Sequence, residues 1–167
     1  VLYEDKVTDI FVGKIGALLN TAKQDWKSLD VAIYLLSAIA VRGQTRGKGA
    51  TQVNPRAPVN DLLQNHIIPQ LNSDVNALPV IKADGIKFIC LFRQHLPKSE
   101  FTFIFPLLMN SLKSSSRVVR TYAAWSIEKI LTVKDFNESG KSFYRYTKED
   151  VSKFTDSLFS LFNALQL

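Results

Sequence analysis

Two stretches of this chain can be laid over one another almost end to end. Asn65-His-Ile-Ile-Pro-Gln-Leu71, followed by Leu78-Pro-Val-Ile-Lys-Ala-Asp-Gly-Ile-Lys-Phe-Ile89, runs parallel to Phe103-Ile-Phe-Pro-Leu-Leu-Met109, followed by Ser116-Arg-Val-Val-Arg-Thr-Tyr-Ala-Ala-Trp-Ser-Ile127. Pro69 and Pro106 stand 37 residues apart; Lys82 and Arg120 stand 38 apart, as do Gly85 and Ala123. An earlier copy, Trp26-Lys-Ser-Leu-Asp-Val-Ala-Ile-Tyr-Leu35, sets Ala32 against Gly85 and Ala123. Its interval to Gly85 is 53 residues, one period of 38 with 15 more, and the surplus falls in 41–59. Units of this size bury their apolar faces only against their neighbours, so the chain is expected to stack into a solenoid.

Within each unit the apolar residues recur at helical spacing. Val7, Ile10, Phe11, Ile15, Leu18 and Leu19 form a first stripe. A second helix is expected over Trp26 to Val41, opened by Asp25 as N-cap and apolar nearly all round, hence deeply buried. A third covers about 60–71, and a fourth starts at Pro79, a residue suited to a first helical position. A fifth follows Pro97 and Ser99, and a sixth runs over about 116–133. The seventh opens at Thr147 with Asp150 three residues on, an acidic variant of the capping box, and carries Val151, Phe154, Leu158, Leu161, Phe162 and Leu165. No segment alternates apolar and polar residues between hairpin turns, so no sheet is expected.

The fold class that follows is all-α: an α-α superhelix of HEAT-type helical hairpins with about seven helices. A period near 38, a proline in the first helix and a V-R-x-x-A-like start to the second make the HEAT pattern. There is no room for the third helix of an armadillo unit, and the tetratricopeptide signature is absent. The expected divisions are a first hairpin over 1–41, a basic flexible linker over 42–59, a second hairpin over 60–96 and a third over 97–133. A loop over 134–146 and the first helix of a following repeat over 147–167 complete them. The small residues Ala32, Gly85 and Ala123 let each second helix approach its neighbours. Lys82 and Arg120 stand in the first turn of that helix, placed to brace the preceding turn; Leu29 departs from this pattern. The last helix is rich in Phe and Leu and is followed by no partner, so the chain reads as an interior piece of a longer arch.

Composition bounds the function. With 46% hydrophobic and 22% charged residues the chain should fold. The longest apolar run, Val31 to Val41, is too short for a bilayer, which needs about 20 residues. Cys90 is the single cysteine, so no internal disulfide is possible, and its apolar helical setting fits a buried inert thiol. A net charge of +6 permits an acidic partner or nucleic acid and demands neither. His66 and His95 have no Cys partners and no carboxylates at helical spacing, which gives no metal site. No nucleophile and base are paired, so no catalytic residue, cofactor site or enzyme is expected. The glycines near 43–49 have neither the spacing nor the Ser or Thr of a phosphate loop.

A resemblance adds to this reading. Asp25-Trp-Lys-Ser-Leu-Asp-Val-Ala-Ile-Tyr-Leu-Leu36, His66-Ile-Ile-Pro-Gln-Leu71 and Asn76-Ala-Leu-Pro-Val-Ile-Lys-Ala-Asp-Gly-Ile-Lys-Phe-Ile89 are similar to successive blocks of the importin-alpha re-exporters. Phe92-Arg-Gln-His-Leu-Pro-Lys98, Pro106-Leu-Leu-Met-Asn110 and Thr121-Tyr-Ala-Ala124 continue the likeness in order. Those proteins are exportins of the importin-beta (karyopherin-beta) superfamily. The resemblance implies a receptor that binds importin-alpha with Ran-GTP in the nucleus, releases both in the cytoplasm and shuttles between the compartments. It implies that GTP is held by Ran and not by this chain, and that cargo contacts lie on a concave surface lined by second helices.

Two sets of residues are candidates for partner binding. Reading two positions past each small residue gives Tyr34, Lys87 and Trp125, on the helix face opposite the small residue. Such aromatic residues serve as interface anchors, although packing of Tyr34 and Trp125 against adjacent helices is the more ordinary expectation. Arg42, Arg46, Lys48 and Arg56 form a basic stretch with no acid between 42 and 58, open to an acidic partner or to solvent as a flexible linker. Two other classes compete: a HEAT scaffold such as a phosphatase regulatory subunit, and an RNA-binding repeat. The second helices show no repeating pair of base-reading residues, so nucleic acid is not an expected partner.

Overall fold

A computed structural model of the chain describes residues 2–22, 24–45 and 47–159. Helix α1 (Leu2–Thr21) and α2 (Trp26–Ala40) form a first hairpin. A second pairs a continuous helical run, α3 (Val59–Leu62), a π-helical turn (Leu63–Ile67) and α4 (Ile68–Asn72), with α5 (Pro79–Phe92). The third pairs α6 (Phe101–Ser111) with α7 (Arg117–Leu131), and α8 (Lys148–Ser152) follows. The second helices form one layer, with α5 between α2 and α7, while α4 lies beside α6 in the other. This is the expected helical solenoid.

The local signals explain the helix ends. The Asp25 carboxylate accepts the Lys27 backbone N–H at 3.1 Å at the start of α2. Pro79 occupies the first turn of α5, where no intrahelical N–H is needed. At α8 the Thr147 hydroxyl accepts from the Asp150 N–H, and the Asp150 carboxylate accepts the Thr147 N–H at 2.8 Å. The π turn lies directly before Pro69, with the Ile68 N–H reaching back five residues to the Leu63 carbonyl. Pro106, the repeat counterpart of Pro69, sits inside α6 without such a widening.

The repeat marks have their physical meaning in the packing. Ala32, Gly85 and Ala123 are all buried. A Cβ on Gly85 would stand 3.0 Å from Ile67 Cγ2, so α5 lies as close to the first helix of its hairpin as a side chain allows. The Lys82 ammonium, 1% exposed, donates to the Gln70 carbonyl at 2.6 Å and the Ser73 hydroxyl at 3.2 Å, closing the end of α4. Arg120 does the same for the turn after α6, donating to the Ser114 and Ser115 carbonyls at 2.6 and 3.1 Å. Asn76 joins the two inter-helix turns: its Oδ1 accepts the Ser115 N–H at 2.7 Å.

Three expectations are corrected. The stretch expected as a flexible linker folds into an antiparallel hairpin of β1 (Val41–Thr45) and β2 (Gly49–Val53). Its strands lack apolar alternation because they are held by tertiary contacts. Gly49, at φ +77°, presses against the Leu91 carbonyl and the Arg93 guanidinium so closely that no Cβ fits. His95 Nε2 is 3.0 Å from the Ala50 carbonyl, and Arg93 donates to the Gly47 carbonyl at 2.7 Å. Asn54, 1% exposed, pins the hairpin base: its side-chain amide donates to the Thr8 hydroxyl on α1, and its backbone N–H to the Ala40 carbonyl on α2. The stretch expected as a loop forms a second hairpin, β3 (Lys134–Phe136) with β4 (Ser142–Tyr144), closed by Asn137 and by Gly140 at φ +75°. Strands of three residues are too short to show a period of two. Finally, α2 is not buried all round: Leu29, Ala32, Ile33, Leu36 and Ala40 face the core, while Val31 and Tyr34 are exposed. Val7 and Ile10 on α1 are likewise exposed, since α1 packs mainly on α2 and otherwise meets Arg42, Asn54 and Arg56 through Glu4, Thr8 and Asp9. Leu161, Phe162 and Leu165 lie outside the described residues.

At the far end an aromatic cluster joins α6 to the chain that follows. Phe101 stacks on Tyr146 with centroids 4.2 Å apart, and Phe105 meets Phe154 at 5.1 Å. Lys98 pairs with Asp150 at 2.6 Å across the same junction.

Two outcomes follow from these contacts. Replacing Lys82 by Ala removes the charge-assisted bonds from its ammonium to the Gln70 carbonyl and the Ser73 hydroxyl and should lower the unfolding free energy by about 1–3 kcal/mol; urea denaturation followed by tryptophan fluorescence measures it, and an unmoved midpoint would show the brace to be idle. The hydrogen bond from Lys98, with that from the Thr147 backbone, holds the Asp150 carboxyl at about 2, below its ordinary 3.8. A carboxyl depressed in the folded state stabilises fully above its unfolded value and loses that contribution as pH falls through the folded one. The α8 cap should therefore be intact above about pH 4 and loosen towards pH 2; carboxyl-carbon NMR titration of Asp150 checks it, and a midpoint near 4 would contradict it.

Candidate partner-binding face

The small residues point α2, α5 and α7 into the core, and the residue two positions later emerges about 200° around each helix, on the outer face. Tyr34 is 73% exposed and Trp125 44% exposed, with Lys87 exposed between them on α5. They are not core residues of the stack. Two depressions run along this face. One, of about 220 Å³, lies between α2 and α5 and includes Asp30, Ile33, Tyr34, Asp84 and Lys87 in its lining. The other, of about 340 Å³, is lined by Gln44, Thr45 and Gly49 of the first hairpin together with Lys87, Leu91, Tyr122 and Trp125. Lys87 and Leu91 border both, so the two depressions adjoin at α5 as the two halves of a groove along the second helices.

The side chains in the groove are coupled. Lys87 Nζ is 2.5 Å from Asp84 Oδ1 and lies 5.4 Å from the centroid of the Tyr122 ring. Tyr122 meets Trp125 edge to face at 6.5 Å. Burial pulls the Lys87 ammonium down, but the Asp84 hydrogen bond and charge outweigh it and hold Lys87 above its ordinary value. Asp30 is raised, first by burial and then by the facing Asp84 carboxylate, with Lys87 opposing. Asp30, Asp84 and Tyr122 were not singled out from the sequence. The repeat does hold a signal for two of them: Asp84 and Tyr122 each immediately precede the small residue of their helix.

The basic stretch is arranged differently. Arg42 Nε donates to Glu4 Oε1 at 2.8 Å, and Arg56 pairs with Asp9 at 2.6 Å, both acids being on α1. Lys48 lies 5.7 Å from the centroid of the Phe136 ring and so touches the second hairpin. Arg46 lies outside the described residues. The described members of this set are thus spread over intramolecular contacts and do not converge on one patch. His95 is used to hold β2, and His66 lies apart from it on the π turn. Cys90 is buried, and burial raises its thiol. Among the described residues no helix is long and apolar enough to cross a membrane, and no group of three or more His, Cys, Asp or Glu is placed to hold a metal ion.

Comparison with known proteins gives a consistent picture. The family description Cse1 matches residues 2–127. Exportin-2 of Bos taurus is 39% identical over 171 residues, covering 99% of this chain and 17% of that protein. Exportin-2 of Homo sapiens is 38% identical over the same length and with the same coverage. The chain thus spans 17% of the length of these relatives. A solved structure titled "The exportin Cse1 in its cargo-free, cytoplasmic state" superposes with a TM-score of 0.71 at 34% identity, over 77% of this chain and 15% of that one. With the family match covering most of the chain and the solenoid shared with a Cse1 exportin, this protein belongs to the Cse1 family of exportins.

Proposed function

We propose that this chain is a segment of a non-enzymatic nuclear-transport receptor that carries importin-alpha from nucleus to cytoplasm together with Ran-GTP, and that the α2–α5–α7 face is where this segment meets a partner. The observation that carries the second part is the groove: Tyr34, Lys87 and Trp125, on three successive second helices, border two adjoining depressions that meet at Lys87. The first part is supported by the relatives named Exportin-2 and by the neighbour whose title gives it a cargo-free, cytoplasmic state. In this reading the receptor works by binding alone. It holds no cofactor, GTP stays on Ran, and the receptor shuttles between the compartments.

The groove suits a protein partner. Aromatic side chains on a face bordered by polar groups supply contact area at small entropic cost, and such anchors carry most of an interface's energy. The helices that present them are fixed by packing, so little ordering is needed on association. Lys87 joins the two halves of the groove through its contacts with Asp84 and Tyr122.

The test is a pull-down of the intact receptor from nuclear extract with and without GTP-locked Ran. Importin-alpha should be recovered only when Ran-GTP is present, and recovery independent of Ran would reject the export reading. In the same receptor, Trp125→Ala should weaken importin-alpha binding by about 5- to 30-fold, the effect of truncating an anchor worth about 1–2 kcal/mol. Unchanged binding by a folded variant would remove α7 from the interface.

A further inference from the structure

The two halves of the groove differ in chemistry. The α2–α5 half holds two carboxylates and one ammonium. Lys87 is committed to Asp84 at 2.5 Å, which leaves one negative charge unmatched when both acids are ionised. Asp30 faces Asp84 from the neighbouring helix, and Tyr34 borders the same space with its ring 73% exposed. The α5–α7 half exposes mostly apolar surface, with Trp125, Tyr122 and Leu91 forming its walls and the backbone of Gly49 closing one side; Arg93 also lines it, its guanidinium held by the Cys90 and Gly47 carbonyls.

Resting on the reading of this face as partner-facing, we propose that the groove receives a segment of a partner protein that offers a Lys or Arg side chain to Asp30 and Asp84 and an apolar side chain to the Trp125–Tyr122 pocket. Charge complementarity sets the first contact: a cation between the two carboxylates supplies the missing positive charge and relieves their repulsion. Burial and then Asp84 push the Asp30 carboxyl up, with Lys87 opposing, in keeping with two carboxylates that share one ammonium. The exposed Tyr34 ring offers the cation a second favourable surface. Neighbouring helices pack about 8–10 Å apart, so the two subsites are separated by about that distance. An extended segment covers it in about three residues and a helix in about two turns.

The probes are two synthetic peptides, one extended with Arg and Leu three positions apart, one stapled helix with Arg and Leu seven positions apart. Each has a counterpart with Glu in place of Arg. Binding to the intact receptor is read by fluorescence anisotropy at low and physiological salt. At least one Arg peptide should bind about tenfold or more tightly than its Glu counterpart, as expected for a charge-assisted contact. Asp30→Asn should abolish that preference while leaving the urea midpoint unchanged or higher, because it removes a repelling charge. Trp125→Ala should weaken the Arg and Glu peptides alike. Equal binding of Arg and Glu peptides by the unmodified receptor would overturn the proposal. So would an Asp30→Asn variant that loses stability while keeping the preference. Importin-alpha binding by the same variants separates the two readings. An Arg preference that importin-alpha binding does not share rejects importin-alpha as the occupant and keeps the groove chemistry. Importin-alpha binding that needs Trp125, without any Arg preference, rejects the groove chemistry and keeps the face.

Discussion

Cations that reach backbone carbonyls at helix ends and in the turns after them tie the helices of this solenoid to one another. The last carbonyls of a helix have no intrahelical partner, and where the helix end is buried they cannot turn to water. In each of the last two hairpins a cation from the first turn of the second helix ties down the end of the first helix or the turn after it: Lys82 reaches the Gln70 carbonyl at the end of α4, and Arg120 reaches those of Ser114 and Ser115 in the turn after α6. The geometry suits the helix dipole as well, since positive charge is favoured at the C-terminal end. Arg145 does the same between units. It donates to the carbonyls of Arg93, Gln94 and Leu96 just beyond α5, while Asp135 fixes its guanidinium through bonds of 2.7–3.1 Å. Lys82 and Arg120 thus tie the two helices of a hairpin together, and Arg145 ties the chain after α7 to the end of α5.

The result is that α5 is fixed at both ends. Lys82 holds its first turn, and the first β-hairpin presses on its last through Gly49, with the Ala50 carbonyl and the Gly47 carbonyl meeting His95 and Arg93. Asp84, Lys87 and Leu91 stand on that same helix. Their positions in the groove therefore follow from contacts at the two ends of α5. A surface built in this way is preorganised, and association need not order it.

Much of this was legible in the sequence because it repeats. Ala32, Gly85 and Ala123 mark tight approaches, and Lys82 and Arg120 brace turns in equivalent places; a period of 37–38 exposes both. Asp25 and the Thr147–Asp150 pair are local signals, and local signals transfer well to structure. The hairpins were not legible, for two physical reasons. Val41–Thr45 and Gly49–Val53 owe their pairing to a glycine that fits where no side chain can and to Asn54 bridging three elements, contacts that span about 40 residues or more of sequence. Lys134–Phe136 and Ser142–Tyr144 are too short to carry a period. The groove was half legible. Tyr34, Lys87 and Trp125 follow from repeat alignment, whereas Asp30 is separated from Asp84 by the stretch that breaks the register between the first and second copies. Basic residues that looked like a patch in the sequence were dispersed by the fold, since Arg42 and Arg56 find acids on α1.

Net charge and groove charge point in opposite directions, and distance decides between them. The chain carries +6, which read alone favours an acidic partner. Screening in physiological salt has a range of about 8 Å, close to the spacing of neighbouring helices. A side chain entering between α2 and α5 therefore responds to Asp30, Asp84 and Lys87 and hardly to lysines elsewhere on the surface. Two of those three groups are acidic, and the third is held by one of them. In the proposed reading, what a partner offers on contact is therefore set by the charges inside the groove and not by the net charge of the chain.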